Sequence, residues 1–489
     1  MSVQILIQGK LLGVDEFLTS DPGATDAAVA ARSLWVSLVC EVVPRALLAE
    51  LELARVLLGS SGGGQFLLVL PDVVREPAEA FLKHSATQIA LASGNTLRLL
   101  WATTENLGDW TVVRKRLQDE LKRKESTPLA DARSFVPFEA QSSAPETIFT
   151  DEFARALETT NRIGWSPDLP AVITVEEAKR TWPVSANLSM DGLTLARHTA
   201  LADEKDGEEG EPAATQQLAA RATGYPAWGV LRGDVDLFDL RLRRLQSIEE
   251  HVQLTMLYKH FFAGEVHAIC LGGEFWRRIT ILHAGGEDFA VYGAWDALVL
   301  FAGEMERTFH RFASENLSDF PGAEGKTITM AIALANEGDS LAQVLAQADR
   351  NLSLAKAADK DCIYLFDRVV EWNQLADAAD LKEAVTRVTE EFRAAGRQFL
   401  SDLTRLYNKA SAAAGTQVDH EKLLRRAYRF QRRYNRAAYS KREKEFQKLR
   451  LHLINEIVGR NIRPAAGKQL RLRPAGVVAL EWARRSKEV

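Results

Sequence analysis

Hydrophobic residues in the first 140 positions follow two kinds of pattern. Val3–Ile7 predicts a strand, and Gln65–Leu70 predicts a second, buried strand. Between them, Ala27–Leu58 carries apolar residues at roughly helical spacing and predicts one long helix. The glycine-rich stretch Ser60–Gly64 predicts a turn before the second strand. We therefore interpret residues 1–140 as an α+β domain.

The clearest alternation of strand and helix patterns lies in residues 223–372. The predicted elements are, in chain order, a strand Trp228–Asp236, a helix Leu240–Phe262, two strands Arg278–Ala284 and Phe289–Tyr292, a helix Trp295–Ala313, a strand Thr327–Leu334, a helix Leu341–Ala357 and a strand Cys362–Phe366. Their order contains βαββαβ, the ferredoxin-like arrangement. Residues 1–140 are expected to be a degraded copy of this plan.

The remaining segments differ from these two domains in composition and charge. Residues 141–222 hold several prolines and the acidic run Asp203–Glu211, so we predict a linker or insert with a solvated loop. Residues 373–489 predict an all-helical domain. From Glu421 to Val489 there are 20 Lys and Arg against 6 Asp and Glu, a net of +14, although the whole chain is at −5. A basic end on an acidic body favours a nucleic-acid partner.

Composition excludes several other classes of protein. The chain has only three cysteines, far apart in sequence: Cys40, Cys270 and Cys362. Neither a disulfide scaffold nor an all-cysteine zinc ribbon can be built from them, so no zinc is expected. No signal peptide is predicted, and no apolar run is expected to approach the ~20 residues of a membrane span. We expect a cytoplasmic protein without a membrane partner.

Acidic residues follow the first strand of the second domain and occupy the tip of its central hairpin. The two segments are Asp234-Val235-Asp236 and Gly285-Gly286-Glu287-Asp288. In a βαββαβ sheet these segments end neighbouring strands, so we expect the carboxylates to lie a few ångströms apart, suited to Mg²⁺ or Mn²⁺ and a nucleoside triphosphate. The glycines would let the phosphates approach the backbone. A plain solvated hairpin is the alternative, and the Asp-Val-Asp segment and the element order argue against it.

The hairpin and its surroundings resemble the palm signature of the large subunit of type III CRISPR effector complexes, where Gly-Gly-Asp-Asp is usual. The matching stretch is Ile281-Leu282-His283-Ala284-Gly285-Gly286-Glu287-Asp288-Phe289-Ala290-Val291-Tyr292-Gly293-Ala294-Trp295-Asp296. Further segments resemble that family in the same order along the chain. They are Gln8-Gly9, Ala31-Arg32-Ser33 and Ser61-Gly62-Gly63-Gly64 of a degenerate first palm, Gly229–Asp236, Phe261-Phe262 and Ala355-Lys356 of the second palm, and Arg397–Leu400 of a helical domain.

The resemblance implies two ferredoxin-like palm domains (1–140 and 223–372), an insert (141–222) and a basic helical domain (373–489). It also implies a nucleotidyltransferase that converts ATP into cyclic oligoadenylates once target RNA binds, within a complex of crRNA, backbone subunits and small subunits. The implied metal ligands are Asp234 and Asp288, with Glu287 in place of the first hairpin aspartate. The implied ATP contacts are Ser61, Gly62, Gly63, Gly64, Gly285, Gly286, Lys356 and Lys360.

The basic tail is expected to contact RNA backbone through an arginine stripe. Its members are Arg425, Arg429, Arg432 and Arg436. Such contacts are sensitive to salt and blind to sequence. The alternative is an ordinary solvated helix face.

Two departures from the family pattern shape the expected function. The histidines and aspartate of the family's N-terminal nuclease are missing from the start of this chain, so no DNA cleavage is expected. Glu287 has one more methylene than the family's usual aspartate, which shifts its carboxylate by roughly 1 Å. A catalytically silent palm that acts as an RNA-sensing scaffold is therefore one alternative. The other is a stand-alone cyclic-dinucleotide synthase, suggested by the order Gly-Gly-Glu-Asp-Phe.

Overall fold

The computed structural model describes most of the chain. The described residues are 4–21, 23–126, 148–167, 173–174, 178–185, 192–204, 209–413, 429–430, 432–433, 441–458 and 474–486. They form two compact units. The first unit comprises residues 1–222 and 227–356, and the second comprises residues 223–226 and 357–489. The predicted boundaries after residues 140, 222 and 372 stay predictions.

The first palm has the predicted βαββαβ plan with additional helices. Its elements are β1 (Gln4–Leu12), α1 (Val14–Thr19), α2 (Asp26–Glu50), β2 (Leu58–Gly62), β3 (Gln65–Pro71), α3 (Arg75–Ala92), β4 (Arg98–Glu105) and α4 (Trp110–Ser126). The strand order β2-β3-β1-β4 is that of a ferredoxin-like sheet, and all described pairings in it are antiparallel.

The predicted helix Ala27–Leu58 is shorter than its apolar pattern suggests. It ends at Glu50, because Glu52 adopts a left-handed conformation with φ +55°. The N–H of Leu53 then bonds back to the carbonyl of Leu48 at 2.8 Å, which satisfies a helix-end acceptor. The apolar residues beyond this point belong to a short 3-10 turn and to the edge strand β2. The prediction of one helix to Leu58 is therefore wrong.

Helix α2 is also long and apolar enough, by length and composition alone, to cross a membrane. The prediction that no apolar run approaches that length is therefore wrong. The helix is mostly buried in the core of the first unit, with Trp35, Leu38 and Val42 fully covered, and this position accounts for its composition. No other helix among the described residues passes the same test.

The insert folds into a small sheet that packs within the first unit. Its elements are α5 (Asp151–Thr159), β5 (Arg162–Trp165), β6 (Ile173–Thr174), β7 (Arg180–Ser185), β8 (Leu193–Thr194) and α6 (Thr215–Ala220). The described ends of the acidic run are tied down, since Asp203 pairs with Arg277 and Glu211 with Arg155 at 3.1 Å. Buried Trp165, Leu193 and Leu195 join the same hydrophobic core as both palms.

The second palm repeats the strand order of the first. Its elements in the first unit are β9 (Trp228–Val235), α7 (Phe238–Arg243), α8 (Ile248–Cys270), β10 (Ile279–Gly285), β11 (Asp288–Ala294), α9 (Trp295–Asn316), β12 (Ile328–Leu334) and α10 (Leu341–Ala358). Strands β10-β11-β9-β12 lie side by side in that order. The prediction of a single helix Leu240–Phe262 is wrong, because Ser247 caps a new helix by accepting a hydrogen bond from the N–H of Glu250 at 3.1 Å.

The second unit contains a hairpin followed by helices. Its described elements are β13 (Cys362–Leu365), β14 (Arg368–Glu371), α11 (Trp372–Ala413), α12 (Lys441–Leu453) and α13 (Pro474–Arg485). Helix α11 is kinked at Arg393, where φ is +40°. The described part of this unit agrees with the expected helical C-terminal region, and the predicted α+β fold class is confirmed.

Candidate active site

The two predicted metal ligands lie opposite one another on neighbouring strands. Asp234 on β9 is the register partner of Asp288 on β11, and the N–H of Val235 donates to the carbonyl of Glu287 at 3.0 Å. Directly opposite residues of an antiparallel pair have Cβ atoms about 5 Å apart. The fold therefore brings the Asp-Val-Asp segment and the hairpin tip together, as the element order predicted.

Each of these carboxylates is approached by basic side chains of the second palm. Lys356 on α10 forms an ion pair with Asp234. Arg232 and His283 approach the carboxylate of Asp288, at 3.8 and 3.5 Å. Burial, only partly offset by Lys356, raises the pKa of Asp234 to about 6. Burial also acts to raise the pKa of Asp288, but His283, Arg232 and Lys356 outweigh it and the pKa of Asp288 is lowered.

Asp236, the second acid of the Asp-Val-Asp segment, is bound by two threonines, whereas the hairpin glutamate lies close to the acidic pair. Asp236 is buried and accepts hydrogen bonds from the hydroxyls of Thr327 and Thr329, at 2.8 and 2.7 Å, so it holds β12 beside β9. Burial and the neighbouring Asp288 and Asp234 raise the pKa of Glu287 well above its ordinary value.

The glycine turns of the two palms touch each other. Gly286 has φ +67°, and a Cβ there would lie 2.6 Å from the Cα of Gly63. A Cβ on Gly63 (φ +56°) would lie 2.8 Å from a carboxylate oxygen of Glu287. Both turns therefore need glycine for conformation and for close approach. The structure brings Gly62–Gly64 and Gly285–Gly286 to the same place, as the resemblance implied.

Ser61 belongs to a buried polar cluster behind this contact. Its hydroxyl donates to the carboxylate of Glu41 at 3.0 Å and accepts from Lys259 Nζ at 3.1 Å. Glu41 also pairs with Lys259 at 2.6 Å and with Arg45 at 2.7 Å, and the four side chains are all nearly inaccessible. Lys259 lies on α8 of the second palm and the other three belong to the first. We call these residues the inter-palm cluster.

A cavity of about 370 Å³ lies between the two palms within the first unit. The first palm lines it with Ser33, Glu41 and the turn Gly62–Gly64, among others. The second palm lines it with residues of the acidic site and of the facing helices. These include Arg232, Asp234, Lys259, His283, Gly285, Asp288, Asp349 and Lys356. Its volume lies in the range of small-molecule sites.

Some predicted site residues lie outside this arrangement. Lys360 belongs to the second unit, in the turn before β13, with φ +58°. Arg429 and Arg432 are exposed. Arg425 and Arg436 lie outside the described residues. The roles of these residues in binding phosphate and RNA stay predictions.

Four side chains at or behind the cavity were missed as functional candidates: Glu41, Arg232, Lys259 and His283. Arg232, whose side chain is 12% exposed, pairs with Asp349 at 2.9 Å and Asp15 at 3.2 Å, and it also approaches Asp288. A charged residue in the middle of an apolar strand is a usable signal, since a buried charge needs a partner. His283 has no acids or cysteines at metal-ligand spacing around it in the sequence, so its neighbours gave no functional signal.

The paired carboxylates fit a divalent cation held jointly with substrate. Mg²⁺ is usually bound by one or two protein carboxylates together with substrate phosphates, and Asp234 and Asp288 face one cavity. Burial raises the pKa of Asp234 although Lys356 opposes it, and a cation at this carboxylate would act in the same direction as Lys356. Among the described residues, no group of three or more His, Cys, Asp or Glu could hold a metal by itself.

The fold and this site together are similar to those of a palm domain. Residues 227–364 match the family described as Cas10/Cmr2, second palm domain. The chain is 23% identical over 469 residues to the Cas10/Csm1 single-strand-specific deoxyribonuclease of the subtype III-A CRISPR system from Enterococcus italicus, covering 83% of this chain and 60% of that protein. The protein of the same description from Thermococcus onnurineus is 27% identical over 129 residues, or 23% of this chain and 16% of that one.

Solved structures of Csm1 share the fold. The Csm1–Csm4 cassette in complex with cA3 superposes with a TM-score of 0.72 at 16% identity, over 99% of this chain and 70% of that one. The cassette with AMPPNP gives 0.66 at 18% identity, over 87% and 64%. Csm1 of T. onnurineus gives 0.72 at 16% identity, over 99% and 69%. The predicted resemblance to the large subunit of type III CRISPR complexes is therefore confirmed, and this chain spans about 60% of the length of the Enterococcus relative.

Proposed function

We propose that the chain is the large subunit of a type III CRISPR effector complex and converts ATP into cyclic oligoadenylate in the cavity between its palms. The observation that carries the proposal is the pairing of Asp234 with Asp288 in the lining of a cavity that the glycine turn of the other palm also lines. Solved Csm1–Csm4 cassettes similar to this chain are in complex with AMPPNP, cA3 and cA4. These similarities support an adenine nucleotide as the substrate class.

Asp234 and Asp288 would hold Mg²⁺ or Mn²⁺. That cation would neutralise the triphosphate and the departing pyrophosphate. Lys356, now paired with Asp234, would exchange this partner for phosphate oxygens. The backbone of Gly62–Gly64 and Gly285–Gly286 carries no side chain that would keep phosphates away. We extend the proposal to crRNA, target RNA, and backbone and small subunits as partners, and to a phosphate contact for Lys360.

The proposal concerns the chemistry of the palms. The deoxyribonuclease activity in the names of the relatives is not part of it. The two alternatives make different predictions: a silent palm yields no cyclic product from the loaded complex, and a stand-alone dinucleotide synthase uses GTP alone without RNA.

The test compares the wild-type chain with Asp288→Ala, each assembled with guide RNA and partner subunits and given target RNA, ATP and Mg²⁺. We expect cyclic oligoadenylate, followed by chromatography, only from the wild type. Exposed His310 on α9 provides the control variant His310→Phe, which should leave the yield unchanged. Equal product from the wild type and Asp288→Ala would reject the enzyme and favour the scaffold.

A further inference from the structure

His283 contacts polar groups of both palms inside the cavity. Its Nδ1 lies 3.4 Å from the hydroxyl of Ser33 on α2, and its Nε2 lies 3.5 Å from Oδ2 of Asp288. Ser33 is only 2% exposed and also lines the cavity. A hydroxyl of the first palm is thus connected through one imidazole to a carboxylate of the second.

The chemistry of the three groups favours one direction for these contacts. An ionised carboxylate only accepts hydrogen bonds, so Nε2 of His283 must carry the hydrogen that faces Asp288. In the neutral ring Nδ1 is then the acceptor, and the hydroxyl of Ser33 can donate to it. The hydrogen-bond donors therefore run in order from Ser33 through His283 to Asp288.

A β-bulge sets the position of His283 on its strand. The register on β10 pairs Ile281 with Val291 but His283 with Ala290, so Leu282 is an extra residue without its own partner. Leu282 is buried in the core of the first unit. A bulge changes the alternation of side chains along a strand and re-aims the residue that follows it. Here the following residue is His283, which lines the cavity.

Arg232, which also lies near Asp288, is less suited to orienting it. Arg232 divides its guanidinium among Asp349 at 2.9 Å, Asp15 at 3.2 Å and Asp288 at 3.8 Å. Its contact with Asp288 is the longest of the three and is electrostatic. His283 instead has one partner at each ring nitrogen, Ser33 at Nδ1 and Asp288 at Nε2.

We propose that Ser33 and His283 form a positioning relay across the two palms, which orients the Asp288 carboxylate for its divalent cation. The inference rests on the proposed function, because it assigns that cation to Asp288. It adds that the first palm contributes the side chain of Ser33 to positioning the metal ligand Asp288, in addition to the backbone of its glycine turn. His283 is a positioning residue, since it acts through Asp288.

The test measures binding of Mn²⁺ to the full chain. The electron paramagnetic resonance signal of free Mn²⁺ is lost on binding, so the assay needs no nucleotide turnover. Partners that orient metal ligands typically contribute about 10–100-fold to metal affinity, so His283→Phe should weaken Mn²⁺ binding by about that factor. His283→Gln keeps one donor and one acceptor and should stay within about threefold of the wild type. His310→Phe is the matched control and should bind as the wild type does.

Ser33→Ala tests the inter-palm half of the relay. It should weaken Mn²⁺ binding in the wild-type background and have no further effect beside His283→Phe, because residues of one network are not additive. Wild-type affinity in Ser33→Ala or His283→Phe would overturn the relay, as would equal weakening in His283→Gln and His283→Phe. If His283→Phe does not fold, as judged by thermal unfolding, Ser33→Ala and His283→Gln decide alone.

The same assay separates this inference from the proposed function. Asp288→Asn should abolish Mn²⁺ binding at this site. Loss of binding in Asp288→Asn with wild-type affinity in both relay variants would reject the relay and leave the metal site standing. Wild-type affinity in Asp288→Asn would reject the metal site and the proposed function with it.

Discussion

The inter-palm cluster allows a prediction about stability, because it buries three charges around one hydroxyl. Its single carboxylate, Glu41, serves two cations, Lys259 at 2.6 Å and Arg45 at 2.7 Å. Burial acts to raise the pKa of Glu41, but the two cations outweigh it and the pKa is lowered. Burial lowers the pKa of Lys259, and Glu41 offsets this only in part. The carboxylate thus has two counter-charges, whereas the two cations share one.

This imbalance predicts unequal costs for removing the two kinds of charge. Glu41→Gln leaves Lys259 and Arg45 buried without a counter-charge, so we expect a loss of about 3–5 kcal/mol in the free energy of unfolding. Lys259→Met leaves Glu41 paired with Arg45 and removes charged hydrogen bonds, so we expect a smaller loss of about 1.5–3 kcal/mol. Exposed Lys115 provides the control Lys115→Met, which should change stability by less than about 0.5 kcal/mol.

Urea unfolding of the full chain followed by circular dichroism measures these differences, with the unfolding of the first unit fitted separately if the transition has two phases. The lowered pKa of Glu41 adds a pH signature. Its stabilisation is present above the ordinary carboxyl pKa and is lost as pH falls through the lower, folded value. The cost of Glu41→Gln should therefore shrink at acid pH. A larger cost for Lys259→Met than for Glu41→Gln, or a cost below about 1 kcal/mol for Glu41→Gln, would refute the charge balance.

Three further predictions test the turn, the acidic pair and the basic tail. Gly286→Ala should lower the urea midpoint of unfolding, because its Cβ would lie 2.6 Å from the Cα of Gly63. Gly264→Ala on α8 is the control and should not lower it, since nothing lies within 4 Å of a Cβ there. Equal midpoints for the two variants would contradict this prediction. The pKa of Asp234, raised to about 6, means that this carboxyl group contributes a loss of stability in EDTA as pH rises from about 4 to about 7. Asp234→Asn should lack that contribution to the change of melting temperature with pH. An unchanged dependence on pH would count against the raised pKa of Asp234. Replacing exposed Arg429 and Arg432 together by Ala should weaken RNA binding for all sequences. It should also reduce the slope of the logarithm of the binding constant against the logarithm of salt concentration by about 2. A loss of binding for particular sequences only would argue against contacts with the RNA backbone.

Sequence reasoning predicted the elements of the second palm well because their signals are local. Strand and helix periods, the hairpin glycines and the acids at strand ends can all be read from neighbouring residues. The break at Ser247 was missed although Ser247 and Glu250 have the spacing of a capping box. The start of α8 could therefore have been predicted from these two residues.

The contacts across the palms could not be predicted in this way. Glu41 and Lys259 are 218 positions apart, and Ser33 and His283 are 250 apart. Nothing local to either residue specifies its partner. The bulge at Leu282 has no reliable single-residue signature, and it decides where His283 lies. The end of α2 depends on Glu52 with φ +55°, an unusual conformation for a residue other than glycine.

The two palms carry the same local geometry with different chemistry, which explains why the site needs both. In the second palm Gly233 lies beneath the ring of Phe289, and in the first Gly9 lies beneath Phe66, each leaving no room for a Cβ. The next register pair is Asp234 with Asp288 in one sheet and Lys10 with Gln65 in the other.

This register leaves the first palm without carboxylates at the positions that carry the acidic pair in the second. Its turn has Gly63 and Gly64 where the second palm has Gly286 and Glu287. A turn without side chains can lie against the hairpin of the other palm, as Gly63 does against Gly286. The second palm thus supplies the charges for a cation. The first supplies a bare backbone surface and the hydroxyl of Ser33, so a change of either palm's position would alter the site of the other.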